Sequence, residues 1–216
     1  MSTPKRKHYK KIALALSLCA VLLWAFLGTG ASLAWFTDTD QEVTNIFHFA
    51  NFDLAVSHRL ENGTWEPVDT ETKVFNEEAL YEPGYVQVVY LKVENLGDVP
   101  FNFKTAVGVT PNNTPSVNVF GNQFYLHDYL KFGIGIADSE AEMDEKVRTR
   151  ELAEKIATMK LSNYSTEEAV LEAGGTVYMA LVVRMPQEVA NEANYRGATV
   201  PKVELGIIVK ADQITG

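Results

Sequence analysis

Between residues 52 and 209 apolar and polar side chains alternate with period two in one segment after another. A strand points successive side chains to opposite faces, so this rhythm dictates half-buried β-strands and rules out a helical bundle. "FDLAV" sets Phe52, Leu54 and Val56 on one face, and "VVYLKVEN" sets Val89, Leu91 and Val93 against Tyr90, Lys92 and Glu94. "FNFKTAVGV" turns Phe101, Phe103, Val107 and Val109 inward with Asn102 and Lys104 outward. "YLKFGIGIA" separates Leu130, Phe132, Ile134 and Ile136 from Lys131, Gly133 and Gly135. "TVYMALVVRM" is apolar on both faces, as a central strand is, and "VELGIIVKA" adds Val203, Leu205, Ile207 and Val209.

Turn chemistry joins these runs: Glu82-Pro83-Gly84, Asn95-Leu96-Gly97-Asp98, Pro111-Asn112-Asn113 and Gly174-Gly175. No β-α-β rhythm is present, so the pattern predicts an all-β, antiparallel two-sheet sandwich. One stretch breaks the alternation. "DSEAEMDEKVRTRELAEKIATM" carries a capping box, Ser139 with Glu142, and apolar residues at 143, 147, 152, 156 and 159. It predicts one inserted helix over about 139–158, lying across one end of the sheets with a largely solvated surface.

The amino terminus obeys another logic. "MSTPKRKHYKK" is basic, "IALALSLCAVLLWAFL" is apolar but for Ser17, and "GTGASLA" is small and flexible. Ser32 and Ala34 occupy the −3 and −1 positions of a signal-peptidase site, which predicts a signal peptide over 1–34 cut between Ala34 and Trp35. The alternative is an uncleaved membrane helix, since about 20 apolar residues suffice to span a bilayer. Gly28 and Gly30 argue against it. Cys19, the one cysteine, lies in the apolar run, so no disulfide framework exists.

Residues 1–34 hold five Lys and Arg and no Asp or Glu, leaving all 28 acidic side chains in the remainder. So acidic a body excludes nucleic acid as a partner, and membrane contact is expected only through the leader before cleavage. Catalytic patterns are missing too. There is no H-E-x-x-H, G-x-S-x-G or P-loop, and His48, His58 and His127 are widely separated, with His127-Asp128 at most half a metal shell. The paired carboxylates Glu77-Glu78 and Glu167-Glu168 read as solvated loop residues. The sequence predicts no enzyme, no cofactor and no metal.

Three stretches, in order, carry a family resemblance. The first, spanning the end of the leader and the start of the body, includes Ala34, Trp35-Phe36-Thr37-Asp38 and Phe49-Ala50-Asn51-Phe52-Asp53-Leu54. The second and third are "LYEPGYVQVVYLKVENLGDVPFNFK" and "NEANYRGATVPKVELGIIVKADQ". Together they resemble the TasA and camelysin (CalY) family of matrix proteins, with Asn51 where that family usually has Gly and with 137–165 matching least well. The resemblance implies a jelly-roll domain over 51–216, release by a SipW-type signal peptidase, and a place in the extracellular matrix or on the surface of a Gram-positive bacterium. It implies a subunit that polymerises with itself into biofilm fibres. Camelysin-like proteins have also been classed as metallopeptidases; without a zinc-ligand motif here, that activity is the least favoured reading.

The cut itself supplies a physical means of assembly. Severing the leader frees an extended segment, 35–50, bearing Trp35, Phe36, Val43, Ile46, Phe47 and Phe49, to complete a neighbour's sheet by strand donation. Each buried anchor contributes about 1.5–3 kcal/mol, while ordering the backbone costs about 1–2 kcal/mol per residue. The two nearly cancel, so a preformed groove and sheet hydrogen bonds must decide. The bland alternative makes 35–50 the first strand of its own domain. A competing class is a secreted or membrane-anchored binding module for matrix polysaccharide or protein, with Trp65, Tyr81, Tyr85 and Tyr125 as an exposed aromatic row.

Overall fold

The computed structural model describes residues 46–49, 53–76, 78–109, 113–161, 168–197 and 199–214. Among these, the strands are β1 (Ile46–Phe49), β2 (Leu54–Arg59), β3 (Trp65–Pro67), β4 (Val86–Asn95), β5 (Phe101–Val109), β6 (Ser116–Val117), β7 (Gln123–Phe124), β8 (Lys131–Ala137), β9 (Met159–Lys160), β10 (Glu168–Leu171), β11 (Thr176–Arg184) and β12 (Leu205–Gln213). Two short helices, α1 (Glu140–Lys146) and α2 (Arg150–Ile156), separate β8 from β9.

The chain is an all-β sandwich. One sheet has the order β1-β12-β5-β10 and the other β3-β2-β4-β11-β8-β9, with β6 and β7 forming a separate hairpin. From β4 onward the chain passes repeatedly from sheet to sheet, and β12 returns beside β5; this winding is a jelly roll. Among the described residues every pairing is antiparallel except that of β1 with β12, where Ile46 lies opposite Ile208 and Phe49 opposite Ala211 in parallel.

The predicted inward faces form the core. Leu91 and Val93 of β4, Phe101, Phe103 and Val107 of β5, Phe132 of β8, and Ile207 and Val209 of β12 are buried together between the sheets. Strand β11 explains why it is apolar on both sides. Val177, Met179, Leu181 and Val183 enter that core, whereas Ala180 and Val182 belong to a second cluster with Ala137, Met143, Val147, Ala153 and Ala157. That second cluster corrects the helix reading in two respects. The helices cover the outer face of the larger sheet, not an end of the sandwich, and they bury one face there.

The single helix expected over 139–158 is also two. Ser139 caps the first, its hydroxyl accepting from the Glu142 N–H at 3.3 Å, and Thr149 caps the second, accepting from Leu152 N–H at 3.4 Å. Between them Val147 leaves helical geometry (φ −124°, ψ 15°), so the chain bends and lets α2 follow the sheet. Arg59 of β2 ties α1 down. Its guanidinium sits 3.9 Å from the centre of the Tyr90 ring and bonds Asp144 at 2.6 and 3.1 Å and Glu140 at 2.8 Å. Hydrogen bonding to Asp144 holds the Arg59 pKa above its ordinary value, against the opposing effect of burial.

The register defines two ends. At the turn end, Asn95 is buried and its amide donates to the carbonyls of Val99, Leu171 and Glu172 at 2.9, 3.3 and 3.0 Å, while its oxygen accepts from Gly97 N–H at 3.0 Å. One side chain thereby fixes the β4–β5 and β10–β11 turns together. At the opposite, hairpin end, Asn118 does the same for β6–β7. Its amide donates to Glu192 O at 3.1 Å, and its oxygen accepts from the Phe120 and Asn122 N–H groups at 3.0 and 2.9 Å.

Candidate functional site

The two sheets are not closed equally along their sides. In the smaller sheet β10 covers β5 only from Phe101 to Lys104; in the larger, β9 covers β8 only at Lys131 and Phe132. Among the described residues, the outer edges of β5 from Thr105 to Val109 and of β8 from Gly133 to Ala137 therefore have no ladder partner on that side. Backbone N–H and C=O groups left so are a template for another strand; on β8 the Ile136 carbonyl already accepts from Lys146 Nζ at 2.5 Å, so β5 offers the freer edge.

Between these edges lies a cleft of about 180 Å³ lined by Phe103, Thr105, Ile134, Ile136, Ile156, Thr158, Met159 and Met179. The alternation of β5 and β8 produces it directly. Phe103 and Thr105 are two apart on the inner face of one strand, and Ile134 and Ile136 two apart on the inner face of the other. Phe132 is fully buried, yet Ile134 and Ile136, further along the same face, are only partly covered. The lining is apolar except for Thr105 and Thr158. The Thr105 hydroxyl is buried and has no hydrogen-bond partner among the described residues. A buried hydroxyl costs about 1–3 kcal/mol unless it finds a partner, so Thr105 is the place in the cleft where an incoming polar group gains most.

The opposite side of the smaller sheet carries β1. Ile46, Phe47 and Phe49, expected among the donated anchors, stand in this strand against β12 of their own chain. The leader, the Ala34–Trp35 bond, Phe36 and Val43 lie outside the described residues. Because β1 runs parallel to β12, it is directed away from the hairpin end and toward the turn end.

The aromatic row expected of a binding module does not form. Tyr81 is buried, with its hydroxyl donating to Gln87 Oε1 at 3.1 Å and its ring edge-on to Tyr85 at 5.2 Å. Burial pushes its phenol pKa up. Trp65 lies on the outer face of the larger sheet, edge-on to Tyr178 at 5.9 Å, and Tyr125 is at the hairpin end beside His127. Of the four, Tyr81 and Tyr85 pair edge-on with each other and Trp65 stands on the outer sheet face, so no exposed row of four forms.

His127 meets Asn113 Nδ2 at 3.1 Å through Nδ1 and its neighbour Asp128 at 3.6 Å through Nε2. Among the described residues no group of three or more His, Cys, Asp or Glu is placed to hold a metal ion. Glu77 and Glu167 lie outside the described residues. No helix among those residues is long and apolar enough to cross a membrane.

Sequence reasoning missed the cleft because it sorted residues by face and not by edge. The one available signal was Thr105, a hydroxyl among "FNFKTAVGV" at an inward position.

No family model matches the chain, and no curated protein does. Among solved structures it is similar to the ASH / PapD-like domain 7 of human CEP192, at 11% identity over 64% of this chain and 79% of that one, with a TM-score of 0.24. It is also similar to a family 123 glycoside hydrolase from Clostridium perfringens, at 8% identity over 61% of this chain and 22% of that one, with a TM-score of 0.23.

Proposed function

We propose that the protein is the structural subunit of an extracellular fibre, and that subunits join when the segment ahead of β1 in one copy enters the side cleft of the next. The observation that carries this reading is the cleft itself: among the described residues, two strand edges partly without ladder partners flank a largely apolar slot in which the Thr105 hydroxyl has no hydrogen-bond partner. The resemblance to the TasA and camelysin family supports it from the sequence side, as does a leader whose removal would free Trp35.

With β1 retained in its own sheet, the donated part is 35–45, carrying Trp35, Phe36 and Val43. Eleven extended residues reach about 36 Å, enough to run along a neighbour's β5 or β8. Along β5 an incoming strand would supply the ladder bonds absent from Thr105 onward, place apolar side chains between Phe103 and Ile136, and offer the Thr105 hydroxyl a backbone partner. The contact joins unlike surfaces, so it repeats without closing and yields a filament. Before cleavage Trp35 is tethered to the leader in the membrane, which holds assembly back until export by a SipW-type peptidase.

Ile134→Trp tests the cleft by filling it. The variant is expected to keep the β-rich circular dichroism of the parent and to lose fibres in negative stain. Normal fibres from a folded Ile134→Trp protein would refute the cleft as the acceptor.

A further inference from the structure

The two ends of the sandwich carry a second, separate complementarity. At the turn end, Leu96, Val99 and Ile214 are exposed large apolar side chains (61%, 51% and 40%). The register sets Ile214 next to Gln213, which lies opposite Phe101, so the three share one rim. Asp53, Asp98, Glu172 and Asp212 are exposed around them, and among the described residues none of these carboxylates pairs with a cation. The β4–β5 turn is held from within by Asn95.

The hairpin end is its counterpart. Val117, Phe120 and Val200 are exposed there, Phe120 at 65%. The Ser116 hydroxyl donates to Thr199 O at 2.7 Å and the Arg196 N–H donates to Val117 O at 2.7 Å, which brings the 196–200 segment against the hairpin. Between them is a groove of about 320 Å³ lined by Pro115, Ser116, Val117, Gly121, Gln123, Arg196 and Thr199. Arg196 and Lys202 are exposed beside it, and among the described residues neither pairs with a carboxylate.

We infer that the occupant of this groove is the β4–β5 turn of a second copy, with Leu96 and Val99 against Val117 and Phe120, and Asp98 facing Arg196. This rests on the fibre reading but uses none of the surfaces of the cleft. A turn bearing exposed apolar side chains and rimmed by acid at one end matches a groove of mixed polar and apolar lining, with Val117 and Phe120 exposed and Arg196 and Lys202 beside it, at the other, and opposite charges fix which end meets which. The contact is head-to-tail, and its polarity agrees with the strand donor. Strand β1 itself runs from the hairpin end toward the turn end, the same direction that this contact repeats.

The test is a charge swap in the mature protein beginning at Trp35. Asp98→Arg and Arg196→Glu singly are expected to slow fibre elongation, monitored by light scattering, at least tenfold. The double variant is expected to recover to within about threefold of the parent. Phe120→Ser, at an exposed position, is expected to slow elongation while leaving the melting temperature unchanged. Elongation unaffected by either single reversal, or a folded double variant no better than the singles, would overturn this contact while leaving the strand donor intact. A parent protein that stays monomeric would overturn both.

Discussion

Thr105 is the residue on which the fibre reading turns most sharply. It stands at a position that β5 alternation turns inward, among residues that are otherwise apolar, and its hydroxyl is unbonded among the described residues. Thr105→Val keeps the shape and removes the stranded polar group. It is expected to raise the stability of the isolated subunit by about 1 kcal/mol, seen as a higher midpoint in urea, and at the same time to weaken fibre growth. Opposite signs are the signature; a threonine that is merely a core residue would move neither fibre growth nor its critical concentration.

Among the elements, β8 and the helix pair are the most tightly specified. A Cβ on Gly133 would lie 1.9 Å from the Ile156 carbonyl oxygen and 2.5 Å from its carbon, and backbone cannot retreat as a flexible side chain can. Gly133→Ala is therefore expected to destabilise by about 1–3 kcal/mol or more, measured as a lowered melting temperature. The same substitution at Gly121, where nothing lies within 4 Å but φ is +87°, isolates the cost of backbone strain alone.

These elements also show what could be read in advance. Period-two patterning located the strands because one face of each is buried, and it set Leu91, Phe103, Phe132 and Ile207 inside correctly. It read the glycines at 133 and 135 as merely small outward residues, because direct contact with α2 is a tertiary fact with no local period. The helix break at Val147 was legible in Thr149, a second capping residue with Glu151 two positions on, but the run of charges around it concealed the restart. The cleft was not legible, since it depends on where β9 and β10 stop, and pairing length is decided between strands that lie far apart in sequence.

At the scale of the molecule, β1 lies against β12 along one side of the sandwich, and along the other, among the described residues, parts of β5 and β8 have no ladder partner. Its ends differ in shape and in charge. A body built this way has a direction, and a direction is what a filament needs. The central claim is that the segment ahead of β1 does the joining. The measurement that tests it most directly is sedimentation, with negative stain, of protein beginning at Trp35 beside protein beginning at Asn45, which retains β1 whole. The longer form is expected to pellet as filaments and the shorter to stay monomeric; filaments of equal length and yield from the shorter form would contradict strand donation.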